Sequence, residues 1–291
     1  MTHRPSKDLR KIRFRHILLT LLLVVPLVLV VTVLTKTASN DREWSPDQQI
    51  LAYAEFAADA DSDSVTIRNI RNSRYRSPDD YVVSHYDRTV SLGDLVSLDY
   101  MVEKLEGFPG FAHTLLSFGF ADSTYIAISV EIRKELGESY HPLSGMMREY
   151  ELMYVIADER DVINLRANYR GNTVYLYPIE IGRASLTNLF LSMLERANGL
   201  RENPEFYHTL TSTCTTNLAR AASETTEERF WMYHPQILLP GFSDRLLLKR
   251  SLIQTGLTDI DDVREAFMIN AQAESHRDSE GFSLGIRNLS N

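Results

Sequence analysis

The sequence predicts an α+β domain, a mostly antiparallel sheet followed by helices, carried behind one transmembrane helix. Three observations point to it. Residues 17–34, "ILLTLLLVVPLVLVVTVL", hold no charged side chain. Runs rich in β-branched and aromatic residues, separated by turn residues, fill the middle of the chain. After residue 184 the apolar residues recur at helical spacing.

At about 1.5 Å per residue, residues 17–34 cover roughly 27 Å, close to the ~30 Å core of a bilayer. Pro26 in the middle is tolerated in membrane helices. Arg4, Lys7, Arg10, Lys11, Arg13 and Arg15 precede this stretch, against the single acid Asp8. The positive-inside rule keeps residues 1–16 in the cytoplasm and sends the remainder outward. The stretch exceeds a cleavable h-region of ~7–15 residues, and "TKTAS" is a poor cleavage site, so an uncleaved signal anchor is favoured over a signal peptide. No cysteine follows closely, which excludes a lipoprotein signal.

Beyond the anchor the chain suits one thiol-bearing domain over 44–255, with a C-terminal helix and loose tail over 256–291. From residue 37 onward, Asp and Glu outnumber Lys and Arg by 38 to 24. Such a surface argues against nucleic acid as a partner and is repelled by anionic headgroups.

The elements follow in order. Ser45 as N-cap and Pro46 at N1 predict a helix over 45–60. "SVTIRNI" predicts a strand, and "RNSRYRSPDD" carries turn residues. "VSLGDLVSLDYMVEKL" fits strand or helix. "FPGFAHTLLSFGF" and "YIAISVEIRKEL", joined by "ADST", predict a β-hairpin turning at Asp122–Ser123. "YELMYVIAD" and "TVYLYPIEI" predict strands, the second at an edge or bend because of Pro178. "ASLTNLFLSMLERANGLREN" predicts an amphipathic helix with Leu186, Leu189, Phe190, Met193, Leu194 and Ala197 on one stripe. Shorter helices follow in "CTTNLARAASE", in "DRLLLKRSLIQTG" closed by Gly256, and in "DIDDVREAFMINAQAE" with acids in its first turn.

Cys214 is the only cysteine. In an oxidising compartment it has no partner within the chain, so it is either buried and inert or kept for reactivity. Ser212 or Thr213 as N-cap places it in the first turn of a helix, where N–H groups favour an anion. That field alone leaves a thiol mostly protonated, so a reactive reading requires a nearby imidazole. His113, on a predicted strand, and His208, just before the helix, are the candidates. A third group should orient the imidazole. On the second strand of the hairpin, Glu131 is the acidic choice and Ser129 the neutral one. The histidines lack paired metal spacing, and no phosphate loop or GxSxG elbow is present, so no metal and no cofactor is expected.

"IRNIRNSRYRSPDDY", "HYDRTVSL", "FPGFAHTLLSFGF", "YIAISVEIRKELGESY", "VYLYPI" and "FYHTLTSTCTTN" occur in this order. Together they resemble the periplasmic domain of the Lnb-type bacterial lipoprotein N-acyltransferases, over roughly residues 44 to 240. The resemblance implies a permuted papain-like (NlpC/P60-like) thiol fold with an antiparallel sheet, in which His113 precedes the nucleophile Cys214. Together with the anchor and its basic flank, it makes the expected protein a single-pass one of the bacterial inner membrane, N-terminus in the cytoplasm, that takes an acyl group from a phospholipid or other acyl donor. The acceptor would be a lipoprotein amine. Thr213 and His208 stand where the family carries asparagine. Two rival readings use the same residues: an envelope cysteine peptidase or amidase, and a non-catalytic binding module with Cys214 buried.

Overall fold

The computed structural model describes residues 7–57 and 63–288, and these fall into two compact units divided between Ala38 and Ser39. The first is a single helix, α1 (Lys7–Thr35), which contains the apolar stretch and Pro26. Among the described residues no helix is long and apolar enough to cross a membrane. The side chains at 7–13, 17–19, 21 and 29, and all of residues 1–6, lie outside them, so the expected anchor and its basic flank fall partly outside the description.

The second unit is built on ten strands: β1 (Tyr53–Phe56), β2 (Ser64–Arg71), β3 (Arg74–Tyr75), β4 (Tyr81–Val82), β5 (His85–Ser91), β6 (Leu95–Lys104), β7 (Ala112–Phe120), β8 (Tyr125–Arg133), β9 (Glu151–Asp158) and β10 (Val174–Pro178). Eight form one sheet in the order β1-β2-β9-β8-β7-β6-β10, with β5 also on β2; β3 and β4 pair by themselves. The sheet is mixed, because β2 meets β9 in parallel through Arg71 and Ala157 while the other pairs are antiparallel.

The helices are α2 (Pro142–Met146), α3 (Glu159–Asn164), α4 (Arg183–Glu202), α5 (Cys214–Thr225), α6 (Pro235–Leu238), α7 (Ser243–Lys249), α8 (Ile260–Ala266), α9 (Asn270–Ser275) and α10 (Phe282–Gly285). They cover both faces. Strand alternation sends Leu116 and Phe118 to the core shared with α4 and α5, and Leu115 to the core shared with α3, α9 and α10. Coverage on both sides explains why β7 and β9 read as nearly continuous apolar runs. Phe190 of α4 anchors the first core, its ring 4.9 Å from Phe118 and 5.7 Å from Phe120.

The hairpin forms as its composition predicts. Ser123 adopts a positive φ of 64°, and Asp122 accepts from the Thr124 N–H. β10 lies at the sheet edge with Pro178 as its last residue, where a missing N–H is harmless. Three expectations are corrected. Ser45 and Pro46 start only one turn, Pro46–Gln48, before the chain extends into β1, because the edge of β2 offers residues 53–56 a full ladder. α7 ends at Lys249, well before Gly256, at a left-handed Ser251. The tail expected to be loose beyond the last helix is packed instead: Phe282 and Ile286 are fully buried in the second core, beside Ile269 and Ala273 of the expected helix.

Candidate active site

Thr213 is the N-cap of α5, in a reciprocal capping box with Thr216: its hydroxyl accepts from the Thr216 N–H, and the Thr216 hydroxyl accepts from its own N–H. Cys214 is therefore the first helical residue, in a turn whose N–H groups have no partner within the helix. Its side chain is buried, with Sγ 3.6 Å from Thr215 Oγ1.

The sulfur meets β7 where the hairpin opens. The last paired residues of β7 and β8 are Leu115 and Ser129. One position before Leu115, Thr114 Oγ1 lies 3.0 Å from Thr215 Oγ1, and the charge of His113 and the hydrogen-bonding groups of His113 and Thr114 act on the thiol. Burial pushes the thiol up, but the imidazole and the Thr114 donors outweigh it and bring the thiol down to about 6.

Behind the imidazole runs a hydrogen-bonded chain. His113 Nε2 lies 2.7 Å from Ser129 Oγ, and the Ser129 hydroxyl donates to Glu131 Oε1 at 2.8 Å. Arg166 Nη2 donates to the same oxygen at 2.6 Å. Burial opposes ionisation of Glu131, yet the charges of Arg166, His113 and Arg71 and the Ser129 hydroxyl hold its carboxyl far below the usual range. An ionised Glu131 accepts only, so the single Ser129 proton is committed to it. Ser129 must then accept from His113 Nε2–H, which leaves the Nδ1 lone pair for the sulfur side. The hydroxyl thus fixes the imidazole tautomer without itself carrying charge.

Arg166 is held in turn. It is 2 % exposed and sits in a π-turn, Leu165–Tyr169, that continues α3. Nη1 donates to the Val162 carbonyl, and Nε lies 2.9 Å from Glu103 Oε2. Glu103 is the cross-strand partner of His113. Burial raises its carboxyl, but Arg166, Arg170 and His113 and the Asn172 amide bring it below its ordinary value. Two carboxylates and one guanidinium therefore form a fixed, ionised floor beneath the imidazole.

Residues 82–240 match the model of the Lnb N-terminal periplasmic domain. The chain belongs to that family. Its main domain is accordingly a periplasmic domain of the cell envelope. Neither the curated proteins nor the solved structures give a match.

Within this Lnb-type domain His113, Ser129 and Glu131 are joined by hydrogen bonds, and the His113 charge acts on the Cys214 thiol. It does not bring His208, the other candidate imidazole, to the sulfur: the His208 ring lies 3.1 Å from Thr211 Oγ1 and accepts from the Leu210 N–H, tightening its own turn. His141 and His234 are spent in the same way as caps of α2 and α6. The sequence reading passes over Glu103, Thr114 and Arg166. Only the β6–β7 register marks Glu103, and nothing local marks Arg166, which reaches Glu131 across 35 residues.

Proposed function

We propose that this chain is a membrane-anchored, periplasmic cysteine acyltransferase that works through an acyl-thioester. The reading rests on one observation: a hydrogen-bonded chain from His113 through Ser129 to Glu131 and Arg166, beside a buried thiol that the His113 charge helps bring down to about 6. Such a thiol is largely thiolate at neutral pH, beside an imidazole able to carry its proton. The strand-borne histidine preceding a helix-borne cysteine fits a permuted papain-like site. The apolar segment 17–34 would hold that site at the membrane surface.

In the first half-reaction the Cys214 thiolate attacks the carbonyl of an ester lipid and forms the C–S bond. The charge that develops on the carbonyl oxygen faces the first-turn N–H groups of α5. As the C–O bond breaks, His113 Nδ1–H gives its proton to the leaving alcohol. In the second half-reaction an amine attacks the thioester, and His113 removes its proton as the C–N bond forms. The thiolate is then released. Glu131 stays ionised throughout, and Ser129 keeps the ring aligned. The family kinship supports a phospholipid donor and a lipoprotein acceptor.

The test is incubation with phospholipid labelled in its acyl chain. A hydroxylamine-sensitive label on Cys214 and a labelled amide are expected. Cys214→Ala and His113→Ala should each lose transfer by at least about a hundredfold with unchanged thermal unfolding. Full activity in either variant ends the reading, and labelled free acid without amide makes the enzyme a hydrolase.

A further inference from the structure

An apolar cavity of about 410 Å³ runs beside α5, and the reaction proposed above leaves it without a role. Leu98 and Leu116 of the sheet, Leu189 of α4 and Leu246 of α7 form its walls. α5 contributes Thr215, Leu218, Ala219 and Ala222, residues of one helical face, and Thr226 just after the helix also lines the space. Thr215 joins this space to the nucleophile: it lines the cavity, while its Oγ1 is 3.6 Å from the sulfur and 3.0 Å from Thr114 Oγ1. Tyr100 also lines the cavity, its hydroxyl held by Ser243 at 2.8 Å.

The lining contains no Lys, Arg or His, whereas Glu180, Glu227 and Glu228 do line it. No cation is available inside for a carboxylate or phosphate head, so the occupant that fits is an uncharged hydrocarbon. Length narrows it further. From Thr215 to Ala222 the lining of α5 rises roughly 10 Å, about a third of a ~30 Å bilayer core, so the space takes part of one tail. The geometry points to this cavity as the receptacle for the hydrocarbon tail of the acyl group carried by Cys214, with the filled length of α5 setting the preferred chain. This inference rests on the acyl-thioester reading and adds the element that selects the substrate.

Two measurements separate the inference from that reading. The first uses Cys214→Ala protein, in which no thioester can form. N-phenyl-1-naphthylamine, a neutral apolar dye, should bind with enhanced fluorescence and be displaced by dodecanol far better than by butanol. Ala222→Phe or Ser185→Phe, which insert a ring from α5 or α4, should abolish that binding. The second uses intact protein with p-nitrophenyl acetate, hexanoate and decanoate, following nitrophenolate release as the thiolate forms the thioester. The second-order rate should rise by about three- to fourfold per methylene until the cavity is filled. The decanoate-to-acetate ratio should fall at least tenfold in each phenylalanine variant. An unchanged ratio in both variants, or a dye that dodecanol does not displace, overturns the cavity assignment even if Cys214 is acylated. Failure of acetate to acylate Cys214 overturns the thioester reading, and the displacement assay still decides whether the cavity takes an alkyl chain.

Discussion

A helix N-terminus alone does not make a thiolate at neutral pH. The dipole supplies about 0.3–1 kcal/mol, less than the ~1.36 kcal/mol that one pKa unit requires, and burial acts against it. The fall of Cys214 to about 6 therefore depends on His113 and on the Thr114 donors. The iodoacetamide alkylation rate should be high at pH 7 and drop as pH falls through about 6, where the proton returns to sulfur. In His113→Ala the burial effect is left unopposed by an imidazole, so the inflection should move above pH 8.5 and the rate at pH 7 should fall at least about tenfold. An inflection unchanged in that variant would mean the imidazole does not act on the sulfur. The residues alone leave His113 and His208 as alternatives beside Cys214, and the resemblance to the family is what selects His113. The choice between Ser129 and Glu131 is not legible in the sequence, since both point to one face of β8 and only coordinates show the hydroxyl standing between ring and carboxylate. Ser129→Ala should lower turnover at least about tenfold, because Glu131 Oε1, 3.8 Å from Nε2, is too distant to hold the tautomer alone. Undiminished turnover would assign the orienting role elsewhere.

Among elements, the hairpin β7–β8 and the start of α5 carry the site, and both were readable because their determinants are local. Thr213 capping and the Asp122–Ser123 turn depend on residues within three positions of one another. The helix expected over 45–60 does not form for the complementary reason: the start at Ser45 and Pro46 is local, but the ladder that draws residues 53–56 into β1 comes from β2. The π-turn that carries Arg166 has no local determinant either, being fixed by Glu103 and Glu131 on two separate strands. Arg166→Met should show what that turn contributes. It leaves the buried Glu103 and the partly buried Glu131 without their shared cation, at a cost of about 3–5 kcal/mol at neutral pH by urea unfolding. The sign with pH is defined. In the wild type, Glu131 is held below its unfolded value, so its stabilisation is present above the usual carboxylate range and is lost on acidification. In the variant both carboxyls bind protons more readily, so the gap between the two proteins should narrow below about pH 4. A gap that widens with acid would contradict the ionised floor.

For the whole molecule, a sheet with two apolar faces needs two covers, and the second cover comes from the C-terminus. The reason it reads as a loose tail is spacing. Phe282 and Ile286 stand on and just after one four-residue helix, with polar residues before it, and no single period joins them to Ile269 and Ala273. Arg287 fastens this cover. Its guanidinium lies 2.6 Å from Asp99 and 2.7 Å from Glu159, and 3.5 Å over the Tyr125 ring. It thus ties the chain end to β6, α3 and β8, the last of which also carries Ser129 and Glu131. Deleting residues 280–291 removes Phe282, Ile286 and Arg287 together. Phe282 alone is worth about 3–5 kcal/mol as a buried aromatic side chain, and Asp99, which burial already pushes upward, would lose its counter-charge. Against a typical total of about 5–15 kcal/mol, the truncated domain should be unfolded or nearly so at 37 °C, and alkylation of Cys214 should lose its inflection near pH 6 and take on that of a free thiol. A truncated protein with an unchanged urea midpoint would show that the second face holds without its C-terminal cover.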